Sequence, residues 1–256
     1  MNLRLLLRSA AFLAILTATM QAEENRYDLF GRMLMPFVNV FAKTTSNPNR
    51  AMSFNLRLEQ MTDLPPELAG SHAEVALEYP DKLRVHGPFM GEDIVVCRKG
   101  QQIWAYPGSK VEALFAAAAE KKKLPKVDPK FQLRPFQLPI PEQDLVLLPA
   151  VFQLKDVGSE ALDGDPCRVM DVYLMPQLVR SLKAQGWGAR AWVDAAAKPV
   201  RITLAKPGWM VALRFENLQF VPRLPESTWD PTPEQTGDVL RLDPKRYMQL
   251  LGTLVK

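Results

Sequence analysis

Cysteine and histidine are scarce in this chain, with two of each among 256 residues. Neither cysteine belongs to a CxxC pair, so no metal site of familiar ligand spacing can be assembled. Cys97 and Cys167 both fall in strand-like segments; in an oxidising compartment they permit one disulfide, or they stand as two separate buried thiols. A GxSxG nucleophile elbow is missing, and Gly108-Ser109-Lys110 lacks the glycine-rich lead of a phosphate loop. Clustered positive charge is missing as well. There are 32 lysines and arginines, two of them (Arg4 and Arg8) close to the N-terminus, against 28 acidic residues. Such near neutrality argues against a nucleic-acid partner. The one dense basic run, Lys121 to Lys123, reads as a solvated helix end.

Long apolar runs are also lacking. Ser9 to Met20 is almost uncharged but short of the roughly 20 residues that a transmembrane helix needs. Arg4 and Arg8 precede it, and Ala22 follows it before Glu23 and Glu24. That order reads as a secretory signal peptide over residues 1–22, with a retained membrane anchor as the alternative. The first cysteine after the run is Cys97, so a lipid-anchor signal is absent. The expectation is a soluble periplasmic protein whose residues 23–256 form one domain, large enough for a well-buried core.

What the chain does have is alternation. In the last third, Met170, Val172 and Leu174 alternate with Asp171 and Tyr173. Val200, Ile202 and Leu204 do so with Arg201 and Thr203, and Val211, Leu213 and Phe215 with Arg214 and Glu216. Earlier, Met52, Phe54, Leu56 and Leu58 oppose Ser53, Asn55, Arg57 and Glu59, and Ala73, Val75, Leu77 and Tyr79 continue the pattern. Leu83 and Val85 lie in the strand after the Pro80-Asp81 turn, and Lys99-Gly100 suits the turn of a hairpin. A period of two places one set on one face of a pleated strand. Several such strands with short connections predict an antiparallel sheet, apolar on one side and polar on the other. At Phe215-Glu216-Asn217-Leu218 the alternation breaks, which predicts a bulge.

Helical spacing appears in four places. Leu29, Met33, Phe37 and Phe41 recur at four-residue steps within Arg26 to Ala42, where Pro36 predicts a kink or a split. Ser109 opens a helix through Lys123 with its own hydroxyl as cap, before Pro125. Gln177 to Gln185 and Pro244 to Leu254 complete the set, and a short helix is expected within Glu142 to Leu148. The turn-rich Thr44 to Asn49 and the loop Thr62 to Gly70 separate elements. Lys126 to Pro141 holds four prolines but also Phe131, Leu133 and Phe136, so it is expected to pack on the domain rather than divide it.

Little catalytic chemistry is visible. His86 reads as a solvent-side strand residue, and Glu74, Glu78, Asp171 and Asp194 fall on polar phases or beside turns. Paired acids for glycoside hydrolysis could be drawn from them, but their spacing matches an ordinary wet face. The apolar face is the stronger signal. By strand phase its candidate lining is Phe54, Leu56, Leu58, Val75, Leu77 and Tyr79 from the early strands, with Val172, Leu174, Ile202, Leu204, Leu213 and Phe215 from the late ones. Either helices fill the space over that face, or they cover a cavity that takes an apolar ligand.

Short motifs bear on that choice. The segment from Glu78 through Tyr79-Pro80-Asp81-Lys82-Leu83-Arg84-Val85 resembles the "tyrosine-proline, then leucine-arginine" strand pair of the outer-membrane lipoprotein carrier (LolA-like) superfamily. The hairpin arm with Trp104 and Tyr106, then Leu162-Asp163-Gly164-Asp165-Pro166-Cys167, follows the same order. Trp192-Val193-Asp194 and Lys198-Pro199-Val200 look like that superfamily's tryptophan-valine-aspartate strand and proline turn. The resemblance spans Met52 to Pro231. It implies a mainly β fold, a strongly curved antiparallel sheet forming an unclosed barrel with helices over its concave face. It further implies a non-enzymatic periplasmic carrier or sensor that binds a lipid, or a lipoprotein's acyl chain, in an apolar cavity. Neither a cofactor nor a metal is expected, and membrane contact is at most transient. The alternative is an envelope protein-interaction or regulatory module with the same fold and a filled core.

Overall fold

The computed structural model describes residues 25–42, 48–63, 68, 70–89, 92–120, 127–128, 131–136 and 142–254. The expected signal peptide and Lys121 to Lys123 lie outside the described residues, as do parts of the Thr44 to Asn49, Thr62 to Gly70 and Lys126 to Pro141 connections.

The first helix, α1 (Arg26–Phe41), starts where the Asn25 side chain accepts a bond from the Tyr27 N–H at 3.0 Å. It runs through Pro36 without the split that was one of the two expectations there. Leu29, Phe30 and Met33 before the proline, and Val38 and Val40 after it, are all buried. Packing on both sides offsets the roughly 3 kcal/mol that an interior proline costs.

Five strands follow: β1 (Ala51–Met61), β2 (His72–Glu78), β3 (Lys82–Phe89), β4 (Glu92–Lys99) and β5 (Gln102–Tyr106). Each pairs antiparallel with the next. The expected Lys99-Gly100 turn joins β4 to β5, with Gly100 at φ +66°. Helix α2 (Gly108–Glu120) comes next, then a 3-10 helix (Glu142–Val151) over the expected short helix. A second meander consists of β6 (Phe152–Leu162), β7 (Asp165–Leu174), β8 (Gly188–Val193), β9 (Pro199–Lys206) and β10 (Trp209–Val221). Between β7 and β8 lies α3 (Pro176–Ser181), shorter than the expected Gln177 to Gln185. The short β11 (Leu240–Leu242) and α4 (Pro244–Leu254) end the described chain, α4 with the expected bounds.

The eleven strands of the described residues form one antiparallel sheet in the order β11-β5-β4-β3-β2-β1-β10-β9-β8-β7-β6. The two meanders meet at β1 and β10, and the sheet is not closed into a barrel. This is the mainly β, unclosed architecture that the resemblance implies. The predicted bulge is present: pairing steps from Ser53↔Gln219 to Asn55↔Glu216, with Asn217 at φ 55°. The step restores the phase, so Met52 and Phe220 share a face with Leu56 and Phe215.

The cap of α2 differs from expectation. Ser109 supplies no acceptor of its own; Asp238 accepts the Ser109 N–H at 2.9 Å and the Ser109 hydroxyl at 2.7 Å. The bonds from Ser109 hold the Asp238 carboxyl below its usual range. Gly108 makes the approach possible, because a Cβ there would lie 2.8 Å from the Leu240 nitrogen. Of the two alternatives for the cysteines, the structure has the two free buried thiols rather than the bridge. Cys97 sits in β4 beside Trp104 and Trp229, whereas Cys167 sits in β7 beside Val169 and Trp192, so each is sealed into a different cluster.

Candidate functional site

Strand register places the predicted lining residues on one face. Cross-strand partners share a face in an antiparallel ladder. One row of partners reads Leu58, Leu213, Ile202, Ala191 and Met170. The next reads Val211, Leu204, Ala189, Val172 and Leu154, and beyond it Leu174 faces Phe152. Across the seam Leu56 faces Phe215, while Phe54, Val75, Val85 and Val96 form a further row. Leu77 pairs with Met52 and Leu83, and Tyr79, just past β2, packs on the same group.

The helices cover this face unevenly. The first half of α1 lays Leu29, Phe30 and Met33 on Leu154, Met170 and Val172, where β8 contributes Ala189, Ala191 and Val193. Its second half crosses toward β1 and β2, with Val40 on Met52 and Leu77. Phe37 meets Phe220 edge-on at 5.0 Å and Phe215 at 6.4 Å. At the far wing α2 and α4 seal β4, β5 and β11, with Val111, Phe115, Tyr247 and Leu250 packed on Ile94, Ile103 and Leu242.

Between those covers an apolar strip is left over. Leu204 in β9 and Val85 in β3 are each 37% exposed. Leu56, Leu58, Val75, Leu213 and Phe215, which lie between them in the sheet, are half-buried. Among the described residues none of these seven belongs to a buried cluster. Phe54 and Phe215 touch at 5.5 Å at the centre of the strip. The strip offers apolar contact and no titratable group.

Among the described residues one buried charge, Arg98, occupies the apolar phase, and the sequence reading passed over it. Arg98 pairs with Ile103 and Leu83 in β4's apolar register, yet it is 4% exposed. Burial draws its pKa down. Its guanidinium donates to the Gly100 carbonyl at 3.0 Å and the Arg134 carbonyl at 2.7 Å, and stacks 4.8 Å from the Phe136 ring. Gln101 bonds both the Leu133 carbonyl (2.8 Å) and its N–H (3.2 Å). The described part of the proline-rich connector is thereby strapped to the sheet, as its apolar content predicted. A charge in the apolar phase after Ile94 and Val96 was the available signal.

The opposite face is mixed: two buried clusters, around Trp104 and Trp229 and around Val169 and Trp192, lie among polar residues, several of them tied to structural partners. His86 is half-buried between Glu74 (3.2 Å) and Asp93 (3.1 Å). Glu78 holds Lys82 and the Leu224 N–H, Asp171 holds Arg190, and Asp194 accepts the Ala196 and Lys198 N–H groups of a turn. Among the described residues no group of three or more His, Cys, Asp or Glu side chains is placed to hold a metal ion. No helix among them is long and apolar enough to cross a membrane.

No family model matches the chain, and no curated protein matches it in sequence. Solved structures do resemble it. The lipoprotein LppX of Mycobacterium tuberculosis is 14% identical over 76% of this chain and 96% of its own, with a TM-score of 0.39. The MucA/MucB complex of Pseudomonas aeruginosa gives 16% identity and a TM-score of 0.39 over 81% of this chain, which spans only 61% of the matched chain. The LolA superfamily protein NE2245 of Nitrosomonas europaea is 11% identical over 77% of this chain and 96% of its own, with a TM-score of 0.28.

Proposed function

We propose that the protein binds an acyl chain or similar lipid-like molecule along the strip between α1 and the α2/α4 wing, as a periplasmic carrier or sensor without covalent chemistry. The carrying observation is the exposure of Leu204 and Val85, 37% each, on a face whose two ends are closely packed. Apolar surface left in water gains roughly 25 cal/mol per Å² when a ligand covers it. A chain lying on Leu58, Leu204 and Leu213 at one side and Val75 and Val85 at the other would take that gain without unfolding the ends. Of the predicted lining residues, Leu56, Leu58, Val75, Leu204, Leu213 and Phe215, which belong to no buried cluster, are proposed as its contacts.

Native mass spectrometry of the purified protein, with uptake of a fluorescent fatty acid, tests this. Bound acyl chains or saturable uptake are expected, and Leu204→Asp should lower uptake at least about tenfold while leaving the fold intact, as exposed positions tolerate change. Protein that is reproducibly empty and takes up no probe would sink the reading. So would a Leu204→Asp chain that unfolds, since that outcome belongs to a filled core and the interaction-module alternative.

A further inference from the structure

At one end of the sheet, the turns around β7, β8, β9 and β10 build a surface that the ligand strip does not use. No residue of α3 is buried, and none from Tyr173 to Arg190 is. The segment is nevertheless rich in large apolar side chains: Leu182 is 63% exposed, Tyr173 44%, Trp187 39% and Met175 37%. A six-residue helix without a buried residue lacks the packing that ordinarily holds so short a helix.

The turns interlock into one tip. Gly186 lies so close to Pro207, in the β9–β10 turn, that a Cβ would come within 2.6 Å of the ring. Gly188 lies under Tyr173, where a Cβ would meet the ring at 2.9 Å. Trp187 and Trp209 pack at 5.5 Å, and Lys206 Nζ stands 5.1 Å from the Trp187 ring centre. The exposed apolar groups therefore present a shared surface rather than independent loops.

Its charge is one-sided. The sequence has no Asp or Glu from position 172 to 193, and none from 195 to 215. Arg180, Lys183 and Lys206 are exposed on the tip. Asp171, on the adjacent strand, is occupied by Arg190 through bonds of 2.6 and 3.2 Å. A cavity of about 500 Å³ opens alongside, lined by Tyr173, Arg190, Trp192 and Lys206 among others. Tryptophan and leucine ringed by lysine and arginine suit the interface of an anionic bilayer, where indoles sit at headgroup depth and cations face lipid phosphates. Protein–protein interfaces, by contrast, are depleted in lysine.

We propose that this tip docks the protein on an anionic bilayer surface, Leu182 and Trp187 entering the headgroup layer while Arg180, Lys183 and Lys206 meet the lipid phosphates. Flotation of the protein with unilamellar vesicles of phosphatidylcholine, with and without phosphatidylglycerol, tests it. Binding is expected to rise about tenfold or more with phosphatidylglycerol and to fall as salt screens the charges. Leu182→Asp should weaken binding several-fold. Lys183→Glu with Lys206→Glu should weaken it at least about tenfold, each cation near such a surface contributing about fivefold. Both variants change exposed side chains, and unchanged circular dichroism will confirm that they fold. Wild type that ignores phosphatidylglycerol vesicles, or variants that bind as well as wild type, would overturn the proposal. Sedimentation showing a dimer that Leu182→Asp dissolves, with no vesicle binding, would reassign the tip to protein contact.

Discussion

The two ends of the apolar face and its middle belong to one sheet and are built in the same phase from the same residue types, yet they differ in burial. Under α2 and α4, Ile103, Ala105, Val111, Phe115 and Leu250 are at most 7% exposed, whereas Val85 and Leu204 keep 37%. Strand periodicity selects the face, but helix placement decides how much of it leaves water. In the packed wing the hydrophobic gain is already taken by the fold. In the middle it is still on offer.

Truncation should separate the two regions most sharply. Phe115→Ala in the packed wing is expected to lower unfolding free energy by about 3–5 kcal/mol, and Leu204→Ala in the strip by less than about 1 kcal/mol, both read from urea denaturation. Equal losses would mean that the middle is core after all. A smaller effect is expected on the polar face, where Lys82 and Lys99 hold the Glu226 carboxyl down to about 2 through hydrogen bonds. A depressed carboxylate stabilises the fold in full above its ordinary value of 4.5, and that contribution is lost as pH falls toward about 2. The urea midpoint of the wild type should therefore drop more between pH 5 and pH 3 than that of Glu226→Gln. The difference should shrink in high salt, because Glu226 is exposed. The smallest effect concerns the thiols. Burial pushes Cys97 up to about 12 and raises Cys167. A thiol reagent should find both only after denaturation without reductant, and reductant should leave the melting temperature unchanged.

The legible parts of the fold were those encoded locally. Alternation in Met52 to Leu58 and Val211 to Phe215 marked both seam strands, and the broken phase at Asn217 marked the bulge between them. The bounds of α4 follow from Pro244 and its amphipathic spacing. The illegible parts are long-range. Asp238 caps a helix that begins 130 residues earlier, and nothing beside Ser109 announces it. Trp229 supplies the carbonyl that accepts the Trp104 indole at 2.9 Å and the Cys97 thiol at 3.4 Å, from more than 120 residues further along the chain. For the candidate site, the phase assigned the face of all the strand residues. Which of them the helices would bury could not be read from spacing, because a helix's direction across a sheet is set by contacts far apart in the chain.

The covers of the sheet are exchanged between its halves. The N-terminal half of α1 shields the second meander, while β11 and α4, from the other end of the chain, complete the first. Neither meander can therefore finish its own core from neighbouring sequence. The chain closes like a clasp, each arm fastened by the opposite end, so losing residues at either terminus should loosen the distant half first. The wing of the first meander therefore stays open to whatever else could cover it until α4 is free to dock, whereas α1, the cover of the second, precedes its strands in the chain.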